Sequence, residues 1–244
     1  MEYWIQNLNL IKSNEIFYRC LKKGPMAHEI DDFEVKEWRE RMRFLADIVF
    51  GSAMTIMIFN LELPDLGLIT DTQELAAFIF KQLSGMGAFF IAFITVAVYW
   101  MKHLEHYGVV VKVDQTFMWF QMLFLALIML VPFWNTYVTD FPDNEAIKVF
   151  FSLNMILIGV FSYLSFNYAS NPQKALIHDS VSLESIKEAK LQILTEPALA
   201  AIAAGLVFVN PILWDLAFIL IPVLFMLKKK LVNVQYFKLF KKPE

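Results

Sequence analysis

Apolar runs recur along the chain at about residues 44–63, 84–101, 117–138, 149–168, 197–209 and 212–227, each bounded by charged or turn-forming residues. A run of about 20 residues rising about 1.5 Å per residue covers a hydrocarbon core of about 30 Å. The pattern predicts an all-α membrane protein with six transmembrane helices. Pro64 closes the first run, Pro132 kinks or ends the third, Asn171-Pro172 stops the fourth, and Asn210-Pro211 separates the last two. The polar stretch 173–196 reads as a surface helix beginning near Ser182, with Ser182 as its cap and Val181 stapled onto Ile186. Residues 74–83 read as a separate helix lying at the interface before the second span.

The first span departs from a uniform apolar helix. At about 100° per residue, Asp47, Gly51, Thr55 and Glu62 fall within one quarter of the wheel, with Ser52, Phe59 and Leu63 beside them, while the opposite face is bulky and apolar. Two readings stand side by side. An ionisable residue in a spanning helix is costly unless it faces protein or water, which makes the stripe a functional site. Alternatively, the small residues let helices approach closely and the hydroxyls bond back to the backbone.

Charge gives orientation. Arg39, Arg41 and Arg43 precede the first span, Lys102 and Lys112 lie between the second and third, Lys174, Lys187 and Lys190 follow the fourth, and Lys228, Lys229 and Lys230 end the sixth. The remaining connections are acidic or very short, so both termini are expected in the cytoplasm. The chain then divides into an N-terminal cytoplasmic segment (1–40), a membrane domain (41–230) and a cytoplasmic tail (231–244). The N-terminal segment, which mixes aromatic, basic and acidic residues, reads as an amphipathic surface helix, a partner contact or a tail. This topology places Asp47 at a depth similar to Trp100 and His103, where an Asp–His or Asp–Arg contact is geometrically open.

Composition excludes several classes. The chain is 58% hydrophobic with a mean hydropathy of +0.51, as expected of a polytopic membrane protein. A net charge of −3, with the basic residues dispersed among acids, offers no footprint for nucleic acid. Cys20 is the sole cysteine and cannot pair within the chain. His103 and His106 share a helix face, but the spacing is not that of an HExxH zinc site, so packing is the expected role and no metal or cofactor is expected. No phosphate loop, nucleophile elbow or paired intramembrane carboxylates are present, which argues against an enzyme.

The first half of the chain resembles the transmembrane protein 175 family of potassium channels in its bacterial single-repeat form. That family carries Arg-x-x-x-Phe-Ser-Asp at the start of its first helix; here Arg41, Leu45, Ala46 and Asp47 occupy those places, so the outer charges match and the middle pair does not. Val49-Phe50, Thr55, the exit Leu61-Glu62-Leu63-Pro64, Trp100-x-x-His103, Val113-Asp114, an aromatic-rich third helix and Leu130-Val131-Pro132-Phe133 continue the likeness over residues 41–133. The resemblance implies a homotetramer in which the first helix of each subunit lines a central pore, a bacterial inner membrane, and passive conduction of K⁺ in preference to other monovalent cations. It also implies a pore without a carbonyl filter, narrowed by apolar side chains that close it by dewetting.

By position, the family's constricting residue falls on Ser52, a departure, and the next pore-facing positions fall on Ile56 and Phe59, with the family's threonine on Thr55. Ile56 and Phe59 are therefore expected to form the hydrophobic constriction, and Ser52 and Thr55 to replace part of the lost hydration shell. Arg41, Asp47, Trp100 and His103 are expected to tie together the ends of the first two helices, with Arg43 as the nearer partner of Asp47 on its own helix. The rival readings are a proton-coupled cation exchanger using Asp47 and Glu62, and a non-conducting membrane assembly protein.

Overall fold

The computed structural model describes residues 26–60 and 71–220, and these residues are helical almost throughout. Helix α1 spans Met26–Ile56 and tightens into a 3₁₀ turn over Met57–Asn60. Then follow α2 (Thr72–Gly108), α3 (Gln115–Asp140), α4 (Glu145–Ala169), α5 (Leu183–Leu206) and α6 (Pro211–Leu220). The protein is an integral membrane protein. Among the described residues, three segments, Lys36–Phe59, Gln115–Asp140 and Glu145–Ala169, are long and apolar enough to cross a bilayer.

The starts of the helices follow from short polar side chains that accept from otherwise unbonded N–H groups. Asp71 caps α2 through Gln73 N and Glu74 N, both at 2.8 Å. Asp114 caps α3 through Phe117 N at 2.8 Å. Asn144 caps α4 through Ile147 N at 3.2 Å. Ser182 caps α5 through Ser185 N at 3.1 Å, as its position predicts. Asn210 accepts from Ile212 N at 2.9 Å at the start of α6, where Pro211 takes the first helical position and needs no N–H partner.

Four boundaries differ from the hydropathy pattern. The α-winding of the first helix stops at Ile56, so Phe59 lies on the 3₁₀ turn; residues 61–64, with the family-like exit and Glu62, lie outside the described residues. At its other end α1 already runs from Met26, so no break marks the expected boundary at residue 40. The interface helix expected at 74–83 and the span at 84–101 are one 37-residue helix, since no proline interrupts the run and Asp71 caps it upstream. The surface helix at 182–196 and the short fifth span are likewise one helix that passes through Pro197. Residues 1–25, the C-terminal tail and the end of the sixth span beyond 220 lie outside the described residues.

An interior proline removes one backbone hydrogen bond and crowds the preceding turn, which favours a helix boundary at Pro197. Packing overrides that signal. The proline ring lies against Gly159 of α4 so closely that a Cβ on Gly159 would come within 2.6 Å of Pro197 Cδ. Glycine here is a demand for space, and it lets α4 and α5 pack along their length.

The core is shared by the six described helices. α1 contributes Met42, Ala46, Phe50, Ala53 and Met57, spaced by three and four residues so that they form one stripe. That stripe faces α2 and α3; α3 packs along α4, and α4 along α5. At the outer corner, Lys148 of α4 is only 1% exposed, and its ammonium donates to both oxygens of Asp215 at 3.0 and 2.9 Å and to the Pro211 carbonyl at 3.1 Å. The Trp214 ring lies 5.0 Å from the same ammonium, while its indole N–H donates to Ser152 Oγ at 2.8 Å. These contacts fasten α6 to α4.

The substitution Gly159→Ala should separate α4 from α5 or force the rigid Pro197 ring aside, at a cost of about 1–3 kcal/mol. Thermal unfolding of the purified protein should show a midpoint several degrees lower; an unchanged midpoint would mean that this contact does not set the helix spacing.

Candidate functional site

α1 has two unlike faces. Opposite its buried stripe stand Arg41, Phe44, Ile48, Thr55 and Phe59, all exposed, with Gly51 and Ser52 half-buried at the margin. The most open apolar side chains are Phe59 at 80%, Phe44 at 66% and Ile48 at 64%; Ile56, nearer the edge of the face, is 41% exposed. The expected pore residues Ser52, Thr55, Ile56 and Phe59 thus all lie away from the centre of the buried stripe. Phe44 and Ile48, which positional transfer did not select, occupy the same exposed side.

The Thr55 side chain is fixed by its own helix. Its Oγ1 donates to the Gly51 carbonyl at 2.7 Å, a bond back into the preceding turn. The hydroxyl hydrogen is thereby committed to the helix, and the oxygen offers lone pairs to whatever lies beyond. Ser52 sets a second small polar side chain beside a belt that is otherwise apolar.

The support for α1 comes from α2. Trp100 Nε1 donates to Asp47 Oδ1 at 2.9 Å, and both side chains are half-buried. A hydrogen bond to a carboxylate in a low-dielectric seam is among the stronger kinds and holds the two helices in register. Asp47 therefore turns toward α2, whereas Thr55, near it on the wheel, turns outward. One turn further along α2, His103 is buried in an aromatic stack, 5.7 Å from the Phe50 ring, 5.4 Å from Tyr107 and 5.5 Å from Phe124. It touches Asp47's helix through Phe50 instead of bonding to the carboxylate.

Arg41 is not brought into this contact. It is exposed, and its guanidinium donates to Glu37 Oε1 at 2.6 and 3.0 Å, one turn earlier on the same helix. A partner four residues away on the solvated part of α1 outcompetes a carboxylate six residues away on another face. The base of α1 is held by Arg39, whose Nη1 donates to the Val110 carbonyl at 3.3 Å while the Tyr107 hydroxyl donates to the Arg39 carbonyl at 2.8 Å. Val110 is itself bridged to Ile177, with Val111 N donating to Leu176 O at 2.8 Å and His178 N to Val109 O at 3.1 Å. The loops after α2 and α4 are thus clipped together beneath α1.

Two further polar joints were hidden from the hydropathy pattern. Lys102 of α2 pairs with Glu196 of α5 at 2.7 Å, with both side chains largely buried. Glu196 looked like the last residue of a surface helix; continuing the helical period through Pro197 puts it on one face with Ile193, Pro197, Ala200 and Ala203, the buried positions of α5. Lys148 shares a face with Phe151, Ser152 and Met155 in the same way. Among the described residues, no three His, Cys, Asp or Glu side chains gather as metal ligands.

The comparisons with known proteins bear on this same region. The family model described as "Endosomal/lysosomal potassium channel TMEM175" matches residues 41–132. A curated potassium channel of Chamaesiphon minutus is 24% identical over 109 residues, which cover 45% of this chain and 53% of that protein. The chain thus spans about half the length of that relative. A crystal structure titled as a lysosomal potassium-selective channel TMEM175 homolog from the same organism superposes with a TM-score of 0.68 at 18% identity, over 79% of this chain and 98% of that one. At that identity the superposition speaks for the fold. Residues 41–132, which carry the exposed face of α1 and the Asp47–Trp100 joint, are the part of the chain similar to the TMEM175 family model.

Proposed function

We propose that this chain is the subunit of a potassium-preferring cation channel, in which four copies surround a central pore lined by α1. The observation that carries the reading is the two-faced character of α1: Met42, Ala46, Phe50, Ala53 and Met57 lie buried in the subunit, while the opposite side of the family-matched segment is exposed, apolar and interrupted by Ser52 and Thr55. Lined by such a face, a pore is a hydrophobic constriction at Ile56 and Phe59 with hydroxyl oxygens beside it, and it conducts when wetted and closes when dry. Lone pairs at Thr55 suit a partly dehydrated monovalent cation and repel an anion. The permeating K⁺ is the cargo, and no cofactor is needed. Both termini face the cytoplasm, with the Arg39–Val110 anchor on that side.

Support for the exchanger reading is weaker. A carrier carboxylate must be free to load and release its ion, whereas Asp47 is engaged by Trp100. The first test is the reversal potential of purified protein in a planar bilayer with K⁺ on one side and Na⁺ on the other. Current reversing toward the K⁺ equilibrium potential is expected; reversal near zero would mean a non-selective pore, and saturable flux without unitary current would favour exchange.

Two substitutions separate pore from support. Ile56→Ala should raise the resting leak several-fold by widening and wetting the constriction; an unchanged conductance would remove Ile56 from it. Asp47→Ala should leave the Trp100 indole N–H without its acceptor, at about 1–3 kcal/mol for an unmet buried group. Its expected effect is on tetramer yield by size-exclusion chromatography and on gating, with the K⁺/Na⁺ preference retained; a lost preference with intact gating would place Asp47 in the ion path.

A further inference from the structure

Between α2, α3 and α4 lies a cavity of about 20 Å³, measured as the space open to the centre of a water-sized sphere. His103, His106, Gln121, Phe124, Ser162 and Ser165 are among its walls. A smaller cavity of about 10 Å³ shares His103, His106, Phe124 and Ser162 and reaches the Lys102–Glu196 pair. In a seam otherwise filled by aromatic rings, this concentration of polar side chains is unusual.

Two of these groups point to an occupant. His103 and Gln121 are each 7% exposed. The Gln121 amide nitrogen donates to Ser165 Oγ at 2.7 Å, but Gln121 Oε1 and His103 Nε2 have no hydrogen-bond partner among the described residues. A buried acceptor left unmet costs its full desolvation, whereas an immobilised water recovers most of a direct hydrogen bond at a smaller entropic cost. A water needs about 10–15 Å³ of such space and two to four polar partners, and the larger cavity supplies both.

We propose that this cavity is a binding site for one water molecule that joins His103 Nε2 on α2 to Gln121 Oε1 on α3. The water donates one hydrogen to the amide oxygen. Its second group meets the imidazole, donating when the ring proton sits on Nδ1 and accepting when it sits on Nε2. The assignment survives the ambiguity of side-chain flips: with the Gln121 amide reversed, an N–H in place of the oxygen faces the cavity, and a water accepts from it. Turning the His103 ring leaves the Gln121 group unmet all the same. The site also has a mechanical role. It fixes the tilt of the imidazole on which Phe50 of α1 rests at 5.7 Å, so the support of α1 runs partly through solvent.

The test is a high-resolution map of the full chain in lipid nanodiscs. The expected result is a discrete non-protein density at about 2.7–3.2 Å from both His103 Nε2 and the Gln121 amide. A dry cavity, with His103 Nε2 bonded to a protein acceptor, would overturn the proposal. So would a density with several contacts of about 2.3–2.6 Å, which marks a metal cation. A thermal-unfolding cycle gives an independent answer. His103→Phe and Gln121→Met each strand the other partner and should lower the melting midpoint by about 2–4 °C. The double variant strands neither and should fall by clearly less than the sum; strict additivity would show that no shared water couples them.

Discussion

A helix bundle bordered by hydrocarbon has no bulk water to satisfy a buried polar group, so each such group must find its partner inside the protein: its own backbone, another helix or a trapped water. In this chain that constraint is met at a small number of joints: Asp47 with Trp100, Lys102 with Glu196, Gln121 with Ser165, Asp114 with Tyr168, and Lys148 with Asp215. Every one of them connects two different elements. Apolar packing between helices tolerates small slides and rotations, because one aliphatic contact replaces another at little cost. A directional bond to an ammonium, carboxylate or amide does not, and the register of the bundle depends on these few pairs.

Their placement leaves one helix with a divided role. On its inner side α1 is held at three levels, by Arg39 and Tyr107 at its base, by Asp47 on Trp100, and by Phe50 on the His103 stack. Among the described residues, the exposed side shows ties only within α1 itself, the Arg41–Glu37 pair and the Thr55 bond back into its own backbone. Separating the anchoring contacts from the open apolar side onto opposite faces of one helix lets substitution at Ser52 or Ile56 leave the anchor undisturbed.

The all-helical fold and three of the apolar runs, the first, third and fourth, were legible because hydropathy at spanning length is a strong, local signal, and the capping role of Ser182 followed from residue type and position. The shared depth of Asp47, Trp100 and His103 was foreseeable, but the contact it suggested was Asp–His or Asp–Arg, whereas the Trp100 indole N–H is the partner found. What stayed hidden depended on neighbours remote in sequence. Pro197 reads as a stop until Gly159 is known to lie beneath it. Glu196 reads as surface until the helix is carried through that proline. Arg41 resembles a motif residue by its spacing, yet Glu37 one turn away claims it. Lys148 at the head of an apolar run looks like an interfacial charge, and only the fold brings Asp215 and the Trp214 ring to it.

The uninterrupted length of α2 has a mechanical consequence. At 37 residues it extends about 56 Å, almost twice the thickness of a hydrocarbon layer of about 30 Å. A rod of that length answers a thinner or thicker bilayer chiefly by changing its tilt, since shortening would break its own hydrogen-bond ladder. Trp100 is fixed to this rod and grips Asp47 of α1. A change in the tilt of α2 is therefore passed to α1 through that one bond.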